Sequence, residues 1–234
     1  MIYKIVFGII FLISTYNFAI SGERTITTNI TETPYVGIEQ YKTTLPLKDH
    51  EVVLTFDDGP LPKYTNQILD ILHDENIHAV FFVVGSMVKN SPMTLQKEVL
   101  EGHAIGNHSW HHQLGFERLL LNTFIDEVET TAIETTKHIG STRPLFFRFP
   151  GLGRSIEKEK YLTNTGYIIW SIDVNSDDWK GGSTDTIIKN VMNGLNKTHK
   201  GVILMLDIHA NTVAALPFLI KRLRSEGYTF VRVQ

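Results

Sequence analysis

Two carboxylates stand side by side in Thr55-Phe56-Asp57-Asp58-Gly59-Pro60, at the end of an apolar run and just before a Gly-Pro turn. Carboxylates carried into apolar surroundings need a partner, and for an adjacent pair a cation is the natural one. An exposed Asp-Asp-Gly-Pro surface turn is the plain alternative. Further on, His108-Ser109-Trp110-His111-His112 places imidazoles at i and i+4. On a helical turn His108 and His112 share a face and can bind one ion, while His111 points elsewhere. One Asp and two His make a three-donor site with open positions. Zinc (Zn) suits it and leaves room for a water and a substrate oxygen; Co, Ni or Mn are alternatives. Iron in a two-His-one-carboxylate oxygenase uses the same donors. The chain has no cysteine, so thiolate ligands and disulfides are excluded.

Three further polar groups follow apolar runs. In Arg148-Phe149-Pro150-Gly151-Leu152-Gly153 an arginine leaves a strand toward glycine-freed backbone. An arginine can hold and acidify a carboxylate, and an exposed backbone N–H can serve an oxyanion. Asp173-Val174-Asn175-Ser176-Asp177-Asp178-Trp179 brings acids and an aromatic face that suits the apolar side of a sugar. Leu204-Met205-Leu206-Asp207-Ile208-His209 ends in an imidazole. Each has a bland alternative: a surface loop for Arg148 and His209, core packing for Trp179.

The elements that would position these groups are legible as alternating patterns. Strand-type runs are Val52 to Phe56, Ala79 to Val84, His103 to Asn107, Leu145 to Phe149, Tyr167 to Ile172, Val202 to Leu206 and Thr229 to Val233. Several are continuously apolar, as strands covered on both faces are. Between them lie helical stripes: Ile68, Leu69, Ile71 and Leu72; Phe116, Leu120, Phe124 and Val128 at spacing four; Ile187, Ile188, Val191, Met192 and Leu195. A last helix spans about Val213 to Glu226, and Gly227 is a natural stop. The pattern predicts a single-domain α/β fold with about seven parallel strands, for which a closed or nearly closed barrel is favoured over an open sheet although periodicity alone does not decide between them. The polar groups then fall at strand C-terminal ends, where such folds collect ligands.

The 234 residues suit one sizeable core, and 42% apolar with 20% charged residues is ordinary for a globular chain. A net charge of −3 gives no pull toward nucleic acid. Residues 1–21 read as a signal peptide: Lys4, an apolar stretch from Ile5 to Ser14, then Ala19-Ile20-Ser21. The globular part is therefore expected to be exported, to the periplasm, the cell envelope or outside the cell. An uncleaved membrane anchor is the alternative, and the only membrane contact expected. Residues 22–48, rich in Thr, Glu and Asn, read as a lead-in, and 49–234 as the one folded domain, which carries all five polar groups. Asn29-Ile30-Thr31 and Asn196-Lys197-Thr198 are sequon triplets, which also arise by chance.

The five groups, in this order from about Glu51 to the end, resemble the polysaccharide deacetylase family, also called NodB-like domains or the fourth carbohydrate esterase family. Thr-Phe-Asp-Asp-Gly-Pro and His-Ser-x-x-His carry the likeness, supported by Ala79 to Gly85 and by Gly106-Asn107. The resemblance implies a single-domain distorted (β/α) barrel of about seven parallel strands, and removal of N-acetyl groups from sugars of a polysaccharide, with peptidoglycan the first expectation. It implies Asp57 as general base, Asp58, His108 and His112 as metal ligands, and Arg148 as tether of Asp57. The Gly151 N–H would hold the oxyanion, Asp178 would orient an acid histidine, and Trp179 would line the acetyl pocket. Two positions depart from the family. Many relatives carry Tyr where Gly151 stands. The acid histidine is expected at position 206, which here is Leu206, and His209 is the nearest replacement. That departure keeps a second reading in play, a glycan-binding or catalytically weak member of the fold. The oxygenase reading is disfavoured, because such enzymes are double-stranded β folds without these helix stripes.

Overall fold

The run ahead of the paired acids is apolar at nearly every position, and it becomes the central strand of a parallel sheet. The protein was studied as a computed structural model, which describes residues 23–140 and 143–234. The signal-peptide reading of residues 1–21 lies outside the described residues. The chain begins with β1 (Arg24–Ile26), β2 (Tyr35–Val36), β3 (Glu51–Asp57), α1 (Pro62–Asp74) and β4 (Val80–Val83). It continues through α2 (Gly85–Asn90), α3 (Pro92–Leu100), β5 (Ala104–Asn107), α4 (Leu121–Ile139), β6 (Phe146–Arg148) and α5 (Ile156–Asn164). It ends with β7 (Ile168–Trp170), β8 (Val174–Asn175), α6 (Thr184–Thr198), β9 (Gly201–Leu206), α7 (Ala210–Ser225) and β10 (Thr229–Val233).

Every strand pair is parallel. One edge of β3 pairs with β9 from Val52↔Gly201 to Asp57↔Leu206. Its other edge is shared: Glu51 and Val52 pair with β10, and Thr55 to Asp57 pair with β4. Beyond β4 the order is β5, β6, β7 and β2. Beyond β9 lies β8. Parallel strands need long crossovers, and the helices provide them while burying both faces of the sheet. Ile68, Leu69 and Leu72 of α1 and Ile187, Val191 and Leu195 of α6 join Leu54, Phe56, Ile203 and Met205 in the largest apolar cluster. A second cluster inside the curl includes Val53, Phe82, Trp170 and Val202. Burying a side chain of this size stabilises the fold by about 1.5–3 kcal/mol. The result is a distorted, incompletely closed barrel: among the described residues no ladder joins β7 to β8 or β9. No helix among the described residues is long and apolar enough to cross a membrane.

Three local expectations change. Residues 22–48 were read as a lead-in, yet β1 pairs with β10 and β2 pairs with β7, and Ile26, Val36, Leu45 and Leu47 are buried. Strands of two or three residues leave no period to read, which is why composition alone made this stretch look irregular. The stripe from Phe116 to Val128 is not one helix. Phe116 lies in a separate 3-10 turn (Phe116–Arg118), Leu120 is 79% exposed, and α4 starts at Leu121. Leu119 and Leu120, both with extended backbone at ψ 151° and 146°, separate that turn from the helix. Phe116 and Phe124 still pack with ring centroids 5.0 Å apart, so their spacing reports a shared core, not a shared helix. Finally, β8 is an unexpected two-residue strand.

The open seam between β7 and β8 is filled by residues that follow β2. Ser171 N–H donates to Val36 O (2.6 Å) and Glu39 N–H to Ile172 O (3.1 Å). The Asp173 carboxylate receives Ile38 N–H (2.7 Å), Thr44 Oγ1–H (2.7 Å) and Val202 N–H (2.8 Å), tying this arm to β9.

Candidate active site

Asp57 is the last residue of β3, and strand pleating puts its side chain on the same face as Thr55. Both meet Arg148, the last residue of β6. The Arg148 guanidinium is fully buried; Nη1 donates to Asp57 Oδ1 (2.6 Å) and Thr55 Oγ1 (2.8 Å), and Nη2 to Ser171 O (3.0 Å). It also stacks over Phe82, 4.1 Å from the ring centroid. A buried guanidinium keeps its charge and needs acceptors around it, which these groups supply. Burial pushes the Asp57 carboxyl above its ordinary value, and the charges of Arg148 and His108 pull against that rise. Thr55 was not singled out from the sequence. Its place two residues before Asp57 on a strand was the available signal.

Asp58 turns away at φ 80°, a left-handed conformation costing roughly 1–2 kcal/mol for a residue with a Cβ. The turn aims its carboxylate at the two histidines: Oδ1 is 3.4 Å from His108 Nε2 and 3.1 Å from His112 Nε2. Burial works to raise its carboxyl, but the hydrogen bond and charge of His108, with the charge of His112, hold it below the usual aspartate range. Adjacent acids thus shift in opposite directions, because burial prevails at Asp57 while two imidazoles face Asp58.

His108 and His112 do not share a helical turn. Residues 108–112 form a loop with Ser109 at φ 65° and His112 at φ 53°. Local bonds hold this shape: Ser109 N–H to Asn107 Oδ1 (2.9 Å) and His112 N–H to Ser109 Oγ (3.0 Å). Glu127 of α4 receives the N–H groups of Trp110 and His111, both at 2.9 Å, and bonds the exposed His111 ring. The loop brings the His108 and His112 rings to 4.8 Å between centroids. Glu127 left no sequence signal, being remote from the motif it clamps.

The His108 Nδ1 faces Arg148 O at 2.7 Å. A carbonyl only accepts, so Nδ1 carries a proton and Nε2 is the ring atom turned to the acids. Nε2 meets Asp58 Oδ1, and Asp57 Oδ2 lies 3.7 Å away. Burial works to lower the His108 imidazole, but the charge of Asp57 and the bond and charge of Asp58 hold it above its ordinary value. Two carboxylates and an imidazole nitrogen converging in this way call for a positive charge among them, a proton on Nε2 or a metal cation. Among the described residues, Asp58, His108 and His112 form the one group whose donor atoms lie within 4.8 Å of one another. The donor chemistry therefore fits a divalent metal with open positions.

The remaining candidates surround this centre unevenly. Gly151 lies exposed in the 3-10 turn after β6 (Pro150–Leu152) at φ 58°. Asp178 is buried against the end of β9: Oδ2 accepts from Leu206 N–H (2.8 Å) and Thr212 Oγ1–H (2.6 Å). Its Oδ1 is buried with no hydrogen-bond partner among the described residues. Burial raises the Asp178 carboxyl, moderated by its bonds to Thr212, Leu206 and Ser176 and by the charge of His209. His209 caps the N-terminus of α7, half-buried, near enough to influence both Asp58 and Asp178 by charge yet bonded to neither. Trp179 is 55% exposed, with Lys180 Nζ 5.0 Å from its ring centroid, so it is not core. Asp207 lies against the turn that follows Asp58. Thr65 Oγ1 donates to it at 2.5 Å, and burial pushes its carboxyl up to about 7. A Cβ on Gly59 would sit 2.0 Å from Asp207 Oδ2, so this position needs glycine.

A sequence profile of the polysaccharide deacetylase family matches residues 44–170. The peptidoglycan-N-acetylmuramic acid deacetylase PdaC of Bacillus subtilis (strain 168) is 38% identical over 184 residues, covering 78% of this chain and 38% of PdaC. The chain thus spans well under half of that relative. A peptidoglycan-N-acetylglucosamine deacetylase of Bacillus cereus is 31% identical over 196 residues, covering 81% of this chain and 89% of the other. The crystal structure of the Bc1960 peptidoglycan N-acetylglucosamine deacetylase, in complex with an N-hydroxybenzamide, superposes with a TM-score of 0.76 at 29% identity, covering 86% of this chain and 92% of that one.

Proposed function

This chain belongs to the polysaccharide deacetylase family, and we propose that it is an exported, metal-dependent hydrolase removing N-acetyl groups from sugars of peptidoglycan. The observation that carries the reading is the convergence of Asp58, His108 and His112 beside Asp57, a buried acid that Arg148 holds apart from them. The names of the relatives support peptidoglycan as the substrate class, and the signal-peptide pattern supports export to where that polymer lies.

Asp58, His108 and His112 would hold the metal, with zinc the preferred ion. When bound, it would polarise the acetamide carbonyl and acidify a water. Asp57 takes the proton of the attacking water, helped by a proton affinity that burial raises. Arg148 keeps that carboxylate oriented through Oδ1, leaving Oδ2 on the side of the histidines. The Gly151 N–H would bind the oxyanion as the carbonyl carbon becomes tetrahedral. The amine then leaves with a proton. His209 is the imidazole on hand for that step, and Trp179 would line the acetyl pocket. Products are acetate and a free amino sugar.

A second reading is supported by Leu206 and the unpartnered Asp178 Oδ1: the chain grips glycan with little turnover. One assay separates the two. Acetate release is measured from peptidoglycan and from N-acetylglucosamine oligomers, with zinc, with a chelator, and with Asp57→Asn. Zinc-dependent release that the variant loses is expected. Binding of glycan without any acetate from any of them rejects the hydrolase.

A further inference from the structure

The turn that carries Gly151 is unusual in its backbone. Gly151 and Leu152 are both left-handed, at φ 58° and φ 60°. Glycine enters that region freely, whereas leucine does so rarely and only when its surroundings impose it. Inside the turn, Leu152 N–H bonds Phe149 O at 2.9 Å and Gly153 N–H bonds Pro150 O at a long 3.3 Å. These are local bonds that an ordinary turn also makes. The restraint from outside comes from the arm in the barrel seam: Gln40 Nε2 donates to the Leu152 carbonyl. No other donor in the structure reaches that oxygen among the described residues.

Gln40 itself is held on both sides. Before it, Ile38 N–H is bound by Asp173 and Glu39 N–H by Ile172 O. After it, Tyr41 N–H bonds Gly37 O (3.0 Å), and the Tyr41 hydroxyl bonds Glu159 of α5 (3.0 Å). The arm lies so close to β7 that a Cβ on Gly37 would sit 2.5 Å from Ile172 N. An amide on so fixed a stem loses little freedom when it bonds, so the contact restrains its partner effectively. Residue 40 lies outside the stretch, residues 44–170, that the family profile matches.

We propose that Gln40 is a positioning residue for the acyl site, pinning the Pro150–Leu152 turn so that the Gly151 amide is held ready for the oxyanion. The inference rests on the deacetylase reading for its consequence in catalysis, but its structural half stands alone. Three proteins are compared with wild type: Gln40→Ala, Gln40→Glu and a control, Gln67→Ala. The Glu side chain keeps the shape of Gln40 but, ionised, has nothing to donate. Gln67 makes an equivalent side chain-to-backbone bond, to Lys63 O on α1. Hydrogen exchange across residues 149–153 should quicken in both Gln40 variants and stay unchanged in the control. Their kcat for acetate release should fall about tenfold with KM within twofold, less than the 10²–10³ of losing an oxyanion donor outright. Metal content and melting temperature should match wild type. Unchanged exchange in the Gln40 variants overturns the proposal, and so does quickened exchange with undiminished kcat. A wild type releasing no acetate rejects the deacetylase reading instead, and the exchange result still decides whether Gln40 pins the turn.

Discussion

Leu206→His tests how this site handles the departing amine. Residue 206 ends β9, its backbone N–H already bonded to Asp178 Oδ2, while Asp178 Oδ1 has no partner among the described residues. An imidazole introduced there gains a buried carboxylate to orient it and hold its proton. General acid help is worth about 10²–10⁴-fold. On the proposed mechanism His209 supplies part of it from a position bonded to neither Asp178 nor Asp58, so the expected gain lies at the lower end. A rise in kcat of roughly hundredfold corresponds to about 2.7 kcal/mol of transition-state stabilisation. The effect on folding is small. Removing the apolar Leu206, 9% exposed, costs about 2 kcal/mol. A hydrogen bond to a charged group returns about 1.5–3 kcal/mol. The melting temperature should therefore stay within about 4 °C. The assay is acetate release with zinc from an N-acetylglucosamine oligomer, comparing wild type, Leu206→His, Leu206→Gln and the double variant Leu206→His/Asp178→Asn. Only Leu206→His should accelerate, and Asp178→Asn should remove the gain. If Leu206→His folds, binds metal and is no faster, or if Leu206→Gln accelerates equally, the account of Asp178 as an acid's anchor is wrong.

Other perturbations separate the remaining roles. Asp57→Asn should lower kcat by at least about 10²-fold with metal content intact, checked by elemental analysis beside the rate; full activity would reject Asp57 as base. His108→Ala should lose both metal and rate, because it removes one of three donors, and undiminished metal content would reject the ligand set. His209→Ala should reduce kcat less than Asp57→Asn, and an equal loss would show that His209 is fully competent as the acid. The bond between β1 and β3 offers a test by pH. The Arg24 hydrogen bond holds the Glu51 carboxyl below its ordinary value, though burial opposes it. A depressed carboxyl stabilises the fold above its unfolded pKa, near 4.3, and that contribution fades as pH falls through the lower folded value. Arg24→Ala should thus cost roughly 1 kcal/mol at pH 7, an amount limited by solvent screening of the partly exposed guanidinium, and less at pH 3. Equal differences in melting temperature at both pH values would refute the linkage.

Chemistry and architecture differ in how far the sequence reveals them. The donor types Asp58, His108 and His112, the neighbouring Asp57 and the alternation of strands with helices were readable from order and period, since apolar strands and helix stripes repeat at spacings the backbone imposes. The resemblance of five short motifs implied roles from about Glu51 to the end of the sequence. What sequence could not supply is how the donors meet. The two histidines converge through left-handed backbone at Ser109 and His112, braced by Glu127, and not through a helical turn. Arg148 reaches Asp57 only because β6 and β3 curl around the same interior. The arm from Tyr35 to Thr44 fills a seam between β7 and β8 and from there reaches the turn after β6. Such contacts join residues far apart along the chain, and no local period encodes them. They arise when buried polar groups must each find a partner, and that matching is settled only once the sheet has closed around them.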